Sequence, residues 1–159
     1  MPSPTRQTVV LIAFVAVCLT VGAIGGLATA PAIPTWYATL AKPSFNPPNW
    51  VFGPVWTALY ILMAIAAWLV WRVSGWQRAR TALYLFFLQL TLNSVWSFIF
   101  FGFHRIGLAL LVIVLLLAAI AVTAWAFRPH SRLAAILLLP YWAWVAFATV
   151  LNTALWRLN

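Results

Sequence analysis

The sequence has 159 residues, of which 66% are apolar and only 6% are charged. This composition excludes an ordinary soluble domain, in which about half of the residues are apolar and about a quarter charged, and indicates an integral membrane protein. The chain has nine basic residues and no Asp or Glu. The absence of carboxylates excludes carboxylate acid–base catalysis, oxygen-ligand sites for Ca²⁺ or Mg²⁺ and carboxylate proton relays. The basic residues are scattered, so no nucleic-acid-binding surface is expected.

Five apolar segments without a charged residue recur along the chain, and each is long enough to cross about 30 Å of hydrocarbon as a helix. They are continuous and lack the alternation of a barrel strand, so they predict α-helices. We expect an all-α membrane protein in which residues 1–159 form one domain, a bundle of five transmembrane helices. The predicted helices are 8–30, 51–71, 81–103, 106–127 and 133–156.

The first segment, residues 8–30, has a second possible interpretation. It ends in Ala28-Thr29-Ala30, which is similar to the cleavage site of a secretory signal. The apolar stretch is long for a signal and Pro31 follows the candidate cut directly, so we favour a retained helix. Gly22 and Gly26 are spaced to permit close approach of a neighbouring helix.

The connection between the first two helices, residues 31–50, is longer than the connections usual in compact proteins. It contains five prolines, which stiffen a chain, and too many aromatic residues for a disordered segment. We therefore expect an ordered Pro/Trp-rich cap over one end of the bundle. Its aromatic residues are Trp36, Tyr37, Phe45 and Trp50.

The basic residues predict the orientation. Six of them lie on the N-terminal side of the predicted topology and three on the other, so the positive-inside rule places the N-terminus in the cytoplasm. We expect a multi-pass protein of a bacterial cell membrane, with an outer membrane as the open alternative. The first group is Arg6, Arg72, Arg78, Arg80, Arg128 and Arg132, and the second is Lys42, Arg105 and Arg157.

Polar side chains inside the predicted helices are costly in lipid unless they are paired or face a cavity. On the third helix, Gln89, Asn93 and Ser97 follow at spacings of four and share one face, with Trp96 beside them. The fifth helix repeats this mixture of amide and aromatic side chains, and the second contributes two aromatic residues four positions apart. The residues are Tyr141, Trp144, Ala148 and Asn152 on the fifth helix, and Trp56 and Tyr60 on the second.

At a rise of 1.5 Å per residue, six of these side chains fall in the half of the bilayer nearer the long loop: Trp56, Tyr60, Trp96, Ser97, Trp144 and Ala148. They predict a cavity between helices 2, 3 and 5, closed by the loop and suited to a flat apolar ligand. Two other interpretations stay open: tryptophans often anchor or pack helices, and Gln89 and Asn93 can serve as hydrogen-bonding groups between helices.

The two histidines, His104 and His130, fall in connections on opposite sides of the predicted bundle. They cannot share a metal ion, and a single exposed histidine is usually solvated. We expect no metal site and no bound cofactor.

Several motifs occur in order along the chain: Trp50-Val51-Phe52-Gly53-Pro54-Val55-Trp56-Thr57, Gln89-Leu90-x-Leu92-Asn93-x-x-Trp96-Ser97, Pro140-Tyr141-x-x-Trp144, and Ala146-Phe147-Ala148-Thr149-x-Leu151-Asn152. From Trp36 onward the chain closely resembles the TspO/translocator protein family (TspO/MBR), also called the peripheral benzodiazepine receptor family. The resemblance implies a five-helix bundle, often a homodimer, with a ligand pocket under the first loop among helices 1, 2, 3 and 5.

The resemblance also implies a function. It indicates a membrane protein that binds porphyrins such as protoporphyrin IX, or a similar flat hydrophobic small molecule, as a sensor, scavenger or carrier, with membrane lipid as a further partner. Lys42 or Arg105 would then be near the carboxylates of a porphyrin. The candidate ligand-binding residues are Trp36, Tyr37, Pro47, Trp56, Tyr60, Asn93, Trp96, Ser97, Tyr141, Trp144 and Ala148.

Two alternatives remain. Trp56 and Trp144 match tryptophans that relatives are thought to use in light-dependent porphyrin degradation, so an enzyme is possible. A sterol or lipid transporter is the other alternative, although the sterol-recognition pattern at the end of helix 5 needs a tyrosine where this chain has Thr153.

Overall fold

The computed structural model describes residues 3–159, and its regular elements are all helical, as the composition predicts. Four segments in this range are long and apolar enough to cross a membrane: Pro4–Ala32, Asn49–Gly102, Ile106–Phe127 and Arg132–Leu158. The helices are α1 (Pro4–Ala32), α2 (Trp36–Thr39), α3 (Asn49–Ser97, continued by a π-helical turn, Phe98–Gly102), α4 (Ile106–Phe127), α5 (Arg132–Leu137) and α6 (Leu139–Leu158).

The long helix α3 is broken at Gly75, where φ is 68° and ψ is 173°. Glycine has no Cβ and adopts this conformation at little cost. Beyond Gly75 the chain folds back, so that Tyr60 reaches Asn93 and Met63 reaches Gln89. The two halves of α3 therefore correspond to the predicted second and third spans. The connection expected between them is itself helical apart from Gly75, a correction to the predicted ends at residues 71 and 81.

The fifth predicted span also consists of two pieces, because α5 ends and α6 begins around Leu138. Pro140 follows two residues later and has no N–H to donate to the carbonyl of Ile136. A proline is tolerated at the start of a new helix, where that hydrogen bond is absent in any case.

Side-chain contacts show which connections meet at each end of the bundle. At the N-terminal end, the indole N–H of Trp68 donates to the carbonyl of Gln7 at 3.0 Å, and Ser74 Oγ is 2.7 Å from His130 Nδ1. At the other end, Asn159 is bonded to Ala41 of the long loop. The six arginines and the three remaining basic residues thus lie at opposite ends, as the predicted topology requires.

Candidate functional site

The long first loop is an ordered cap, as its composition predicts. Its short helix α2 buries Tyr37, whose side chain is 2% exposed, and the Tyr37 hydroxyl donates to Asn46 Oδ1 at 2.6 Å. The Asn46 amide in turn donates to the carbonyl of Pro47 at 3.1 Å. Asn159 accepts from the Ala41 N–H and donates to its carbonyl, both at 3.0 Å, so the loop is bonded to the end of α6.

Tyr37 and Lys42 form a second contact within this cap. Burial raises the pKa of Tyr37 to about 12. The Lys42 ammonium lies 5.0 Å from the centre of the Tyr37 ring and donates to the carbonyls of Ala38 and Leu40 at 3.2 and 3.1 Å. Lys42 is therefore engaged in holding the loop, and it does not line the cavity described below.

Trp36 lies at the rim of the bundle. Its indole stacks on the imidazole of His104, with ring centres 4.2 Å apart and planes at 15°, and meets the edge of Phe100 at 5.5 Å. His104 has a positive φ of 56°, just after the π-helical turn that places Phe100 and Phe101 in the core. A π turn adds one residue to a helical turn and so re-aims the side chains beyond it.

The main cavity, of about 420 Å³, lies between α1 and the two halves of α3. Its α1 wall consists largely of small residues, whereas the α3 walls are aromatic and polar. From α1 the lining residues include Gly22, Ala23, Gly25, Gly26, Thr29 and Ala30. From α3 and its π turn they include Asn49, Phe52, Trp56, Thr57, Tyr60, Asn93, Trp96, Ser97 and Phe101.

The glycines of α1 differ in what they face. A Cβ on Gly22 would lie 2.6 Å from Cε2 of Tyr60, and one on Gly25 would lie 3.3 Å from the Ser97 hydroxyl. A Cβ on Gly26 would meet nothing within 4 Å. Gly22 therefore permits close helix approach, as its spacing predicts, whereas Gly26 leaves space open.

A second, much smaller cavity of about 30 Å³ lies between α3 and α6, room for about one water molecule. Trp144, Ala148 and Tyr37 line it, and the aromatic side chains of Phe52, Trp56, Trp96 and Phe101 separate it from the main cavity. The sequence placed the pocket between helices 2, 3 and 5. The cavity found there is small because aromatic side chains occupy most of that space, and the larger cavity lies on the other side of them, against the small residues of α1.

Hydrogen bonds join the polar residues beside these cavities. Tyr60 donates to Asn93 Oδ1 at 2.8 Å, and the Asn93 amide donates to the hydroxyl of the fully buried Tyr141 at 3.0 Å. The Trp96 indole donates to Asn152 Oδ1 at 3.2 Å, and the Asn152 amide donates to the carbonyl of Ile106 at 3.0 Å. Asn93 thus joins helices and lines the main cavity at once.

Two buried polar atoms within residues 3–159 lack a hydrogen-bond partner. One is Oε1 of Gln89, whose amide nitrogen approaches the Met63 sulfur at 3.8 Å. The other is the indole nitrogen of Trp144, a residue that borders the smaller cavity between Phe52 and Phe147. A buried donor without a partner carries a desolvation cost.

The structure divides the predicted site residues into three groups. Trp56, Tyr60, Asn93, Trp96 and Ser97 line the main cavity, and Tyr37, Trp144 and Ala148 line the smaller one beside Trp56 and Trp96. Three others lie behind or beside these walls: Tyr141 is bonded to Asn93, Trp36 is stacked on His104, and Pro47 accepts the bond from Asn46.

Sequence reasoning missed Gly25, Gly26, Phe52 and Phe101 as lining residues. The only features that marked these residues in the sequence were helix spacing and aromatic content, and neither distinguishes a packed helix face from one that lines a cavity. Arg105 borders a separate crevice with His104 and Trp156, so it is not at the main cavity either.

Comparison with known proteins agrees with this architecture. Residues 14–157 match the TspO/MBR family model. The chain is 42% identical to the tryptophan-rich protein TspO of Archaeoglobus fulgidus, over 94% of this chain and 96% of that protein, and 48% identical to the translocator protein of Homo sapiens, over 78% and 75%. It is 41% identical to the tryptophan-rich sensory protein of Cereibacter sphaeroides, over 78% and 77%. This chain therefore belongs to the TspO/MBR family and is a membrane protein of that family.

Proposed function

We propose that the protein binds a porphyrin, or a similar flat hydrophobic molecule, in the cavity between α1 and the two halves of α3, and acts as a sensor, scavenger or carrier. One observation carries the proposal: a cavity of about 420 Å³ has a wall of small residues facing a wall of aromatic rings. This volume falls within the range of small-molecule sites, about 300–1,000 Å³.

The walls suit a flat ligand. Trp56 and Trp96 lie with ring centres 6.4 Å apart and planes at 35°, so a macrocycle lying along α1 would contact both indoles by offset stacking. Gly26 on the opposite wall, where a Cβ would meet nothing within 4 Å, allows close approach of that macrocycle. A ligand that displaces Trp56 from between the two cavities would join them and bring ligand acceptors towards the unpaired Trp144 N–H.

The names of relatives agree with this role at a coarser level. The Cereibacter sphaeroides relative is named a sensory protein and the human relative a translocator protein. A sensor and a translocator must each recognise what they respond to or move, and the cavity supports that step for this chain.

A dark titration tests the proposal. Detergent-purified protein is titrated with protoporphyrin IX while tryptophan fluorescence is recorded, and saturable quenching is expected. Gly26→Leu, which fills open cavity space without an existing contact to displace, should abolish saturation. Ala16→Leu, on the exposed face of the same helix, is the matched control and should bind normally. Equal affinity in the Gly26→Leu variant would show that porphyrin does not occupy this cavity.

A second candidate is light-dependent degradation of the bound porphyrin, in which the porphyrin is the chromophore and dissolved molecular oxygen is the oxidant. The ring of Trp56 lies 5.8, 6.4 and 6.2 Å from the rings of Tyr60, Trp96 and Tyr141, so readily oxidised side chains surround the proposed ligand position. Illumination of the complex separates the candidates. Protein-dependent bleaching of the porphyrin bands that is lost in Trp56→Phe supports chemistry, and stable bands support binding alone.

We place the protein in a bacterial cell membrane as a homodimer with its N-terminus in the cytoplasm. The support for orientation is the excess of arginines at the N-terminal end. In a Cys18→Ala background, Gln77→Cys and Ser44→Cys lie at opposite ends, both exposed. An impermeant maleimide added to intact cells should label only Ser44→Cys, and labelling of Gln77→Cys alone would reverse the orientation. Light scattering of the purified protein should give the mass of two chains.

A further inference from the structure

An open groove of about 700 Å³ lies on the outside of the bundle, where the turn after α4 leads into α5 and α6. Its floor includes the small residues Ala124 and Ala135, and Arg128 and Arg132 line its mouth. Arg128 directly follows α4, and Arg132 is the first residue of α5, so the turn places two guanidinium groups on one groove. The groove is separate from the proposed porphyrin cavity and shares no lining residue with it.

The two guanidinium groups have no counter-ion in the protein, because the chain contains no Asp or Glu. Three of the other four cations at this end have partners: Arg6 lies 5.8 Å from the centre of the Trp71 ring, Arg72 lies 4.9 Å from that of Trp68, and Arg78 donates to the carbonyl of Ser74 at 3.1 Å. The fourth, Arg80, is exposed and lies outside the groove.

Within residues 3–159, the side chains of Arg128 and Arg132 make no such contact, and both are exposed. A pair of unpaired guanidinium groups is complementary to a phosphate, which Arg binds in bidentate geometry.

The sides of the groove are apolar and uncovered. Trp125 is 72% exposed, Ile136 57%, Leu139 54% and Trp142 40%. These side chains extend from the charged mouth towards the middle of the bundle. The rise from Arg132 to Trp142 is about 15 Å at 1.5 Å per residue, which is half of a hydrocarbon thickness of about 30 Å and therefore the depth of one leaflet.

We propose that this groove binds one anionic phospholipid. Its phosphate lies between Arg128 and Arg132, and one acyl chain runs along Trp125 and Trp142 over the alanine floor. Basic grooves between transmembrane helices suit anionic headgroups, and the charge pattern here fits that chemistry. A zwitterionic phospholipid would offer the same chains, but its choline places a cation beside the two arginines.

Native mass spectrometry of the detergent-purified full chain tests the proposal, with dioleoyl phosphatidylglycerol and dioleoyl phosphatidylcholine as probes. The wild type should retain phosphatidylglycerol in preference to phosphatidylcholine. Arg128→Gln/Arg132→Gln should weaken phosphatidylglycerol binding by about 10- to 30-fold, given the usual contribution of each basic residue near a lipid headgroup.

Arg78→Gln/Arg80→Gln is the matched control, since it removes the same charge at the same end of the bundle outside the groove. It should change the affinity less than about threefold, well short of the effect of two direct headgroup contacts. Thermal unfolding of both double variants establishes that they are folded.

Three results would overturn the proposal: equal weakening in both double variants, equal retention of the two lipids by the wild type, or unchanged phosphatidylglycerol binding in Arg128→Gln/Arg132→Gln. A loss of dimers in that variant with unchanged lipid binding would instead assign the groove to a second copy of the chain. Displacement of the lipid by an equal concentration of glycerophosphoglycerol, which has no acyl chain, would contradict the role of the apolar walls.

Discussion

The ring of Tyr60 lies directly over Gly22, with Cε2 only 2.6 Å from where a Cβ on that glycine would be. The ring cannot swing aside without cost, because its hydroxyl is bonded to Asn93 at 2.8 Å and the side chain is buried. This contact sets the distance between α1 and the first half of α3, and so the width of the main cavity.

Gly22→Ala should lower stability by about 1–3 kcal/mol, the usual cost of overpacking a tight contact. Gly26→Ala adds the same methyl group on the same helix, but a Cβ there meets nothing within 4 Å, so its stability should equal or slightly exceed that of the wild type. Thermal unfolding in detergent compares the two variants. Equal melting temperatures would show that Gly22 does not set the helix spacing.

The bridge from Tyr60 through Asn93 to Tyr141 should contribute to stability bond by bond. Tyr60→Phe and Tyr141→Phe each remove one hydrogen bond and should cost about 0.5–2 kcal/mol, whereas Asn93→Leu removes both and should cost more. Reversible unfolding in mixed micelles measures the three values. Additive losses in the Tyr60→Phe/Tyr141→Phe double variant would indicate independent bonds, and a cost near zero for both single variants would contradict a structural role for the bridge.

Trp96 and Trp144 provide a matched pair, because only the first has a partner for its indole N–H. Trp96→Phe leaves Asn152 Oδ1 without its donor and should cost about 1–2 kcal/mol more than Trp144→Phe. Trp144→Phe should show the opposite pattern. Its stability should be close to that of the wild type, but it should bind porphyrin more weakly in the titration. Unchanged porphyrin affinity in that variant would remove Trp144 from the proposed site.

The cap should open at high pH. The pKa of Tyr37 rises from 10.0 to about 12 when the loop is closed over it, so the closed loop holds the phenolic proton more tightly than the open one. Closure is therefore fully favoured below pH 10 and weakens as pH rises from 10 to 12, by about 2 kcal/mol in total. Above that range a phenolate would also face the carbonyl oxygen of Asn46.

Limited proteolysis of loop 1 between pH 9 and 12 measures this opening. Tyr37→Phe should remove most of the pH dependence, whereas Lys42→Arg, which keeps a cation beside the Tyr37 ring, should retain it. Persistence of the wild-type profile in Tyr37→Phe would assign the transition to another group.

Much of the fold follows from the sequence, because charge-free apolar length is a direct signal for a membrane helix. The helix ends in the middle of the chain were harder to predict. One non-helical residue, Gly75, replaces the expected connection, and the residues on both sides of it are helical. Nothing at Leu138 itself indicated that a helix ends there, and the break between α5 and α6 follows from Pro140 two residues later.

The sequence predicted the residues of the candidate site better than it predicted where the open space lies. Spacing identified the faces that carry Trp56, Asn93 and Trp96, because amides in lipid need partners or a cavity. Spacing could not show which side of those rings is empty. That depends on the volume of side chains on α1, where Gly26 faces open space and Gly22 faces a ring.

The turn at Gly75 has a consequence for how the protein enters its membrane. Gln89 and Asn93 would be isolated polar groups if the third span were inserted alone, and their partners Met63 and Tyr60 lie on the span before it. Because only one non-helical residue separates these spans, we expect them to form a hairpin once the second half of α3 is made. We expect such a hairpin to bring Asn93 to Tyr60 and the Gln89 amide nitrogen to Met63 before later helices are added, so the glycine that bends the chain should lower the cost of inserting the third span.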